Sequence, residues 1–362
     1  MSEFIPPAKP LIGDEEREAV DRVLRSGMLA QGPEVKAFEE EFSEHFGLGR
    51  ACVAVNSGTS GQHLGLLSSG VKAGDEVIVP SFTFAATANS VALTGATPVF
   101  ADISADDFCL DPAAVEASIT ERTVGFMPVH LYGHPAKMDQ LMAIADKHGL
   151  QVFEDAAQAH GASLNGTPVG AFGSFAMFSL YPTKNMTSGE GGMVSVANDE
   201  IERLMRLYRN QGMQQQYHNE VVGFNTRMTD IHAAIGRVQL TKVDAWTKRR
   251  QENAAFLTEN LVGVTTPPVA DGAVHVYHQY TIRVAEDRDG LAKALKDEYN
   301  VGSGMFYPVP NHRLAPFQVD VELPETEKAA RECLSLPVHP SLSQDDLERI
   351  VTAVNTLAKA GA

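Results

Sequence analysis

The amino-acid sequence predicts an α/β fold: a large domain with a mostly parallel seven-stranded sheet covered by helices, and a smaller C-terminal α+β domain. Three observations carry this. Short β-rich apolar runs recur through the first two-thirds of the chain, helical patterns lie between several of them, and a long helical pattern ending in a turn-rich break sets off the C-terminal third. At 362 residues the chain exceeds one average domain, and we place the large domain, with the N-terminal segment, at 1–249 and the small one at 250–362.

Taken in order, the strand-like runs are "ACVAVNS" (51–57), "DEVIVPS" (75–81), "TPVFADI" (97–103), "TVGFMPVH" (123–130), "LQVFED" (150–155), "SFAMFS" (174–179) and "GMVSV" (192–196). Between them lie helical stretches such as "AATANSVALTG" and "MDQLMAIADKHG". In sheets of this kind ligands bind at the carboxyl ends of the strands. The polar tract "QGMQQQYHNE" (211–220) reads as a loop, either simply solvated or bordering the site. Beyond it runs a long helical pattern, "IHAAIGRVQLTKVDAWTKRRQENAAFLTENL", which "VTTPPVADGA" breaks.

Apolar residues make up 44% and charged residues 21%, the balance of a soluble globular chain. The net charge of −17 argues against non-specific nucleic-acid or membrane-surface binding, which needs a basic field. The start "MSEFIPPAKPLIGDEE" lacks signal-peptide patterning, and no apolar run approaches the roughly 18 residues of a transmembrane helix, so a cytoplasmic location is expected. Cys52, Cys109 and Cys333 are an odd set without CxxC spacing, read as small buried hydrophobes.

The chemistry gathers just past the strand ends. After the first run comes "GTSGQHLGLL", a small-residue turn opening a helix, where free N–H groups make an anion site; Thr59 and Ser60 are candidates to cradle a phosphate, although Gly-Thr-Ser is also an ordinary N-cap. "LQVFED" leads into "AAQAHG", which sets Asp155 at a strand end with Gln158 and His160 behind it; alone, such an aspartate reads as a helix cap. Lys184, in "SLYPTKNMTSGEGG", lies between two runs that read as buried, and a lysine is almost never buried unless paired or used. Asp155 and Lys184 together point to pyridoxal phosphate: a carboxylate keeps a pyridine nitrogen protonated, and a lysine amine condenses with an aldehyde. No metal site is assigned: His130 and His134 in "HLYGH" are four apart but separated by a Tyr-Gly turn, and local packing is the better reading.

With those residues in view, "NSGTS", "PSFTFAATANS", "FEDAAQAHGA", "SFAMFSLYPTKNMTSGEGG" and "GFNTRMTDIHAAIGRVQL" resemble, in order and over nearly the whole chain, the DegT/DnrJ/EryC1/StrS family. These are nucleotide-sugar aminotransferases of aminotransferase fold type I. The resemblance implies that Lys184 forms the Schiff base and then shuttles the proton, that Asp155 pairs with the pyridine nitrogen, and that Gln158 hydrogen-bonds the ring oxygen. It implies that Phe84 stacks on the ring, that Thr59, Ser60 and Ser179 hold the phosphate, and that Asn225 reaches the phosphate of the neighbouring subunit in a homodimer with shared sites. Arg227 is read either as meeting a donor carboxylate or sugar diphosphate or as pairing with an acid. Tyr307, His312 and Arg313 fall in "SGMFYPVPNHRLAPF", which resembles the family segment facing the sugar nucleotide, with Asn311 in place of the usual leucine and Phe306 in place of the frequent histidine. His160 is read as packing or hydrogen-bonding near the ring.

The implied activity is a ping-pong amination of a keto-sugar nucleotide with L-glutamate as donor. The segment "AKPLIGDEEREAVDRVLRSGMLAQGPEV" is more like the family's 4-keto-6-deoxy enzymes than its 3-keto ones. The rivals are a 3-keto-sugar or cyclitol aminotransferase and a regulatory protein that binds the cofactor without turnover. In the sugar dehydratases of this scaffold a histidine replaces the lysine, so Lys184 points away from them.

Overall fold

The computed structural model describes residues 3–360. Seven strands, β1 (Ala51–Val55), β2 (Glu76–Pro80), β3 (Thr97–Ala101), β4 (Thr123–Phe126), β5 (Gln151–Asp155), β6 (Phe175–Ser179) and β7 (Gly192–Val196), form one sheet in the order β1-β7-β6-β5-β4-β2-β3. Every expected run supplies a strand, and the longer ones end before the run does, because their last residues leave the ladder to build loops. The pairs from β3 through β6 are parallel, while β7 runs antiparallel to both its neighbours. Accordingly β1, β5 and β6 point the same way. Their carboxyl ends, and the start of β7, meet at one edge of the sheet.

Both faces of this sheet are covered, so its strands read as apolar runs rather than as an in–out alternation. On β6, Ala176 and Phe178 pack with Phe38, Phe42 and Met193 on one face, and Phe175 and Met177 pack with Leu64, Val77 and Val194 on the other. A third core, around Phe126, Leu141 and Val152, lies toward β4.

The C-terminal unit is built on β8 (Tyr280–Arg283) and β9 (Cys333–Leu336), an antiparallel pair, with helices Val243–Asn260, Arg288–Tyr299 and Gln344–Ala360. Its core holds Leu257, Tyr280, Leu295 and Ile350, and also Ile5, which pairs in parallel with Val301. The long helical pattern is two helices, Asp230–Leu240 and Val243–Asn260. Between them Lys242 is pinned by an ion pair to Glu16 at 2.9 Å. Position 249/250 falls inside the second helix, whose Val243 packs into the large sheet's core and whose Ala254 and Leu257 pack into the C-terminal core. The polar tract 211–220 forms a small hairpin of Met213–Gln215 and His218–Asn219 with Tyr217 exposed at its tip. Among the described residues no helix is long and apolar enough to cross a membrane.

Candidate active site

At the end of β1 the chain turns into the helix Gly58–Ser68, capped by Ser57, whose Oγ accepts the Ser60 N–H at 3.1 Å. The helix begins against the neighbouring strands. A Cβ on Gly58 would come 2.9 Å from Met177 Sδ, and one on Gly192, at the start of β7, would come 2.7 Å from the Ser57 carbonyl oxygen. Glycine at both places lets the backbone close up, and it leaves the helix N-terminus, with its free N–H groups and positive dipole end, facing the sheet edge.

Asp155 ends β5 and is buried. Its Oδ2 accepts from Gln62 Nε2 at 2.5 Å and Thr87 Oγ1 at 2.8 Å, and its Oδ1 accepts from the Ala157 N–H at 3.1 Å. Burial pushes its carboxyl up from the usual range, opposed by these donors and by the charge of Lys184. Lys184 sits half-buried in the turn after β6, with its N–H bonded to the Tyr181 carbonyl at 3.0 Å. Its Nζ donates no hydrogen bond among the described residues. Burial pulls the ammonium down to about 8, against the attraction of Asp155.

Lys184, Asp155, Gln158, Ser179 and Thr59 line one cavity of about 820 Å³, roofed by Phe84 and by Tyr307 from the C-terminal unit. Phe84 is 60% exposed, an apolar ring held open beside the reactive groups, 6.1 Å from the Tyr307 ring. Gln158 bridges the two units: its Oε1 accepts from the Tyr132 N–H at 2.6 Å, and its Nε2 donates to the Tyr307 hydroxyl at 3.1 Å. Tyr307 stays protonated, since burial holds its hydroxyl well above the ordinary range.

Other expected residues are not brought to this cavity. Ser60 turns to its cap, with Ser57 Oγ donating to its hydroxyl at 3.0 Å. Arg227 donates to Asn210 Oδ1 at 2.8 Å, which is neither of the two roles foreseen for it. Asn225 is exposed on the segment after the hairpin, away from its own chain's cavity. His312 is buried with Nδ1 at 2.6 Å from Ser81 Oγ and Nε2 at 3.4 Å from Glu327, and Arg313 pairs with Glu327 at 2.8 Å; both brace the segment from behind while Tyr307 faces the cavity.

His160 packs among Phe42, Phe46 and Phe178, and burial, with the charge of Lys184, drives it down to about 3. Sequence reasoning missed three residues at the cavity: His278, held at 3.4 Å from Asn185 Oδ1; Arg250; and Gln62, whose amide anchors Asp155. Only Gln62 had a signal available, its position one helical turn beyond the Gly-Thr-Ser cap.

A half-buried amine of lowered basicity, a buried carboxylate held by three donors, a flat aromatic face and an open helix N-terminus together fit the aldehyde, ring nitrogen, ring face and phosphate of pyridoxal phosphate. Known proteins with similar sequences and structures agree. The model of the DegT/DnrJ/EryC1/StrS aminotransferase family matches residues 10–355. The chain is 41% identical to the dTDP-3-amino-3,4,6-trideoxy-α-D-glucose transaminase of Streptomyces venezuelae, over 95% of this chain and 92% of that one. It is 40% identical to the UDP-N-acetyl-3-dehydro-α-D-glucosamine 3-aminotransferase of Acidithiobacillus ferrooxidans, over 94% and 93%. The crystal structure of NtdA from Bacillus subtilis, with the amino form of the cofactor bound, superposes with a TM-score of 0.92 at 28% identity, covering 99% of this chain and 86% of that one. The chain belongs to the DegT/DnrJ/EryC1/StrS family and is a pyridoxal-phosphate-dependent aminotransferase.

Proposed function

We propose that the protein transfers the amino group of L-glutamate to the carbonyl carbon of a keto-sugar nucleotide, acting as a homodimer in which Asn225 completes the neighbouring subunit's phosphate site. The observation that carries the reading is the placement of Lys184 and Asp155 in one cavity closed by Tyr307 from the C-terminal unit. When bound, pyridoxal phosphate supplies an aldehyde that captures amines and a ring that accepts an electron pair. The chain's own groups do the rest. Lys184, lowered to about 8, is far more readily deprotonated than an exposed lysine, and it takes and returns a proton at Nζ. Asp155 would hold a proton on the ring nitrogen by its negative charge, Phe84 would offer its face to the ring, and the helix start at Thr59, with Ser179, would take the phosphate. Gln158 and the protonated Tyr307 hydroxyl would be the partners of the ring oxygen. We further propose that the division of labour matches the two cores, with cofactor groups drawn from residues 1–249 and the lid over the acceptor from 250–362.

The acceptor position has two readings. The N-terminal segment favours a 4-keto-6-deoxy sugar, whereas the named activities of the S. venezuelae and A. ferrooxidans relatives favour C-3. The test is a panel of UDP-, dTDP- and GDP-linked 3-keto and 4-keto sugars with L-glutamate, products resolved by mass and NMR. Amination of one nucleotide class at a single carbon is the expected result, and a chain active only on cyclitol ketones would overturn the reading.

A further inference from the structure

Arg250 lies midway along the helix Val243–Asn260, is 6% exposed and lines the same cavity as Lys184. Its Nη1 donates to the carbonyl oxygens of Tyr277 at 3.2 Å and His278 at 3.4 Å. Among the described residues its Nε has no hydrogen-bond partner and its Nη2 donates none. No carboxylate pairs with it there either. The contrast with Arg209 is direct: that guanidinium is equally buried but sits 2.6 Å from Glu39. A buried guanidinium without an acid is costly to keep charged, and burial alone pulls Arg250 down to about 10. Its positive charge is felt by its neighbours, since it helps hold both His278 and His339 below the ordinary histidine range. The cavity therefore holds a guanidinium that none of its own carboxylates, Asp155 and Glu190, pairs with among the described residues.

We infer that Arg250 receives a substrate carboxylate, the α-carboxylate of the amino donor, through the edge that Tyr277 and His278 leave unused. Phosphate groups have their own donors at the helix start near Thr59, on the other unit, which leaves the guanidinium for a second, smaller anion. A planar guanidinium edge matches a carboxylate, and a charge-assisted pair out of bulk water discriminates strongly against donors that lack it. Arg250 is thus a specificity residue for the half-reaction that loads the amine. The inference rests on the proposed use of L-glutamate.

The test uses the cofactor-loaded protein with Arg250→Gln and Arg250→Lys, reading KM for L-glutamate, KM for the sugar, and calorimetric binding of glutarate, which has the carboxylates without the amine. For Arg250→Gln the glutamate KM and the glutarate Kd should both rise about tenfold to hundredfold, with the sugar KM within about twofold, and Arg250→Lys should recover part of the loss. Unchanged glutamate KM and glutarate binding in folded Arg250→Gln overturn the inference while leaving the proposed reaction standing. A rise in sugar KM alone assigns the guanidinium to an acceptor carboxylate and also overturns it. A fall in thermal midpoint with both KM values raised and no recovery in Arg250→Lys makes Arg250 only a clip for the 277–278 chain. If the wild-type protein takes amine solely from donors without a carboxylate, the reading of the reaction fails first.

Discussion

Gln62 Nε2 donates to Asp155 Oδ2 at 2.5 Å, and Thr87 Oγ1 shares the same oxygen at 2.8 Å, so one side of the carboxylate is spent on holding its orientation. The other oxygen accepts the Ala157 N–H. In Asp155→Asn an amide cannot satisfy this set, because its NH2 must face either the Gln62 and Thr87 donors or the Ala157 N–H. It also loses the negative charge. Turnover should fall at least about a hundredfold, with cofactor retention falling much less. Rates near wild type would reduce Asp155 to a helix cap.

Lys184→Ala should abolish steady-state turnover, a loss on the order of a thousandfold or more since nucleophile and proton carrier go together. The melting midpoint should not drop, because the substitution removes a half-buried ammonium that makes no hydrogen bond. In the cofactor-free wild type, covalent labelling of Lys184 by an amine-directed reagent should rise with pH through a midpoint at about 8, well below that of an exposed lysine.

The next residue inward from Asp155's strand end tests the scaffold rather than the chemistry. Glu154 is fully buried, and its carboxylate accepts the N–H groups of Gly170 at 2.8 Å, Phe172 at 2.9 Å and Gly173 at 3.0 Å and faces His130 Nε2 at 3.2 Å. Burial raises its pKa, but these partners outweigh burial and hold it below the ordinary 4.5. A depressed carboxylate stabilises the fold above its unfolded pKa, and that stability is lost as pH falls below about 4.5 toward the folded value. Glu154→Gln should cost about 3 kcal/mol at pH 7, measured by urea unfolding, and should flatten the acid limb of the stability curve.

Shared sites predict complementation between two dead variants. Lys184→Ala removes the amine, and Asn225→Asp sets a carboxylate where we propose the partner's phosphate lies. A mixed dimer would carry both defects in one site and neither in the other, so exchange should restore activity toward half the wild-type value per dimer. Proven exchange with no recovery would confine Asn225 to its own subunit.

The seven strands were legible because strands covered on both faces appear as uninterrupted apolar runs between turn residues. The direction of β7 was not anticipated, although the signal exists: the stretch from Ser179 to Gly192 holds no helical pattern and cannot make the crossover a parallel neighbour requires. Asp155 and Lys184 can be read from strand ends and from the motif around the lysine, and the resemblance adds Phe84, Gln158 and Ser179 as expected cofactor residues. The substrate residues cannot be read in this way, because resemblance of a segment places the segment and not the direction of each side chain. Tyr307 points in while His312 and Arg313, close behind it, point to Ser81 and Glu327. Arg250 was invisible for a related reason. In "TKRRQENAAF" it reads as one more solvated charge, and only packing against residues 277–278 shows that it is buried and alone.

The pairing of Ile5 with Val301 has a bearing on how the chain is assembled. The Ile5 N–H bonds the Asn300 carbonyl at 2.9 Å, the Gly302 N–H bonds the Ile5 carbonyl at 2.8 Å, and the next stretch, Pro7 and Ala8, lines the cavity. Two segments far apart in the chain therefore close on each other, a long-range contact that is costly to form early in folding. The large sheet can be in place before this contact forms, while the cavity still lacks the wall that Pro7 and Ala8 supply. A complete cavity thus depends on a clasp remote from the sheet that carries its reactive groups.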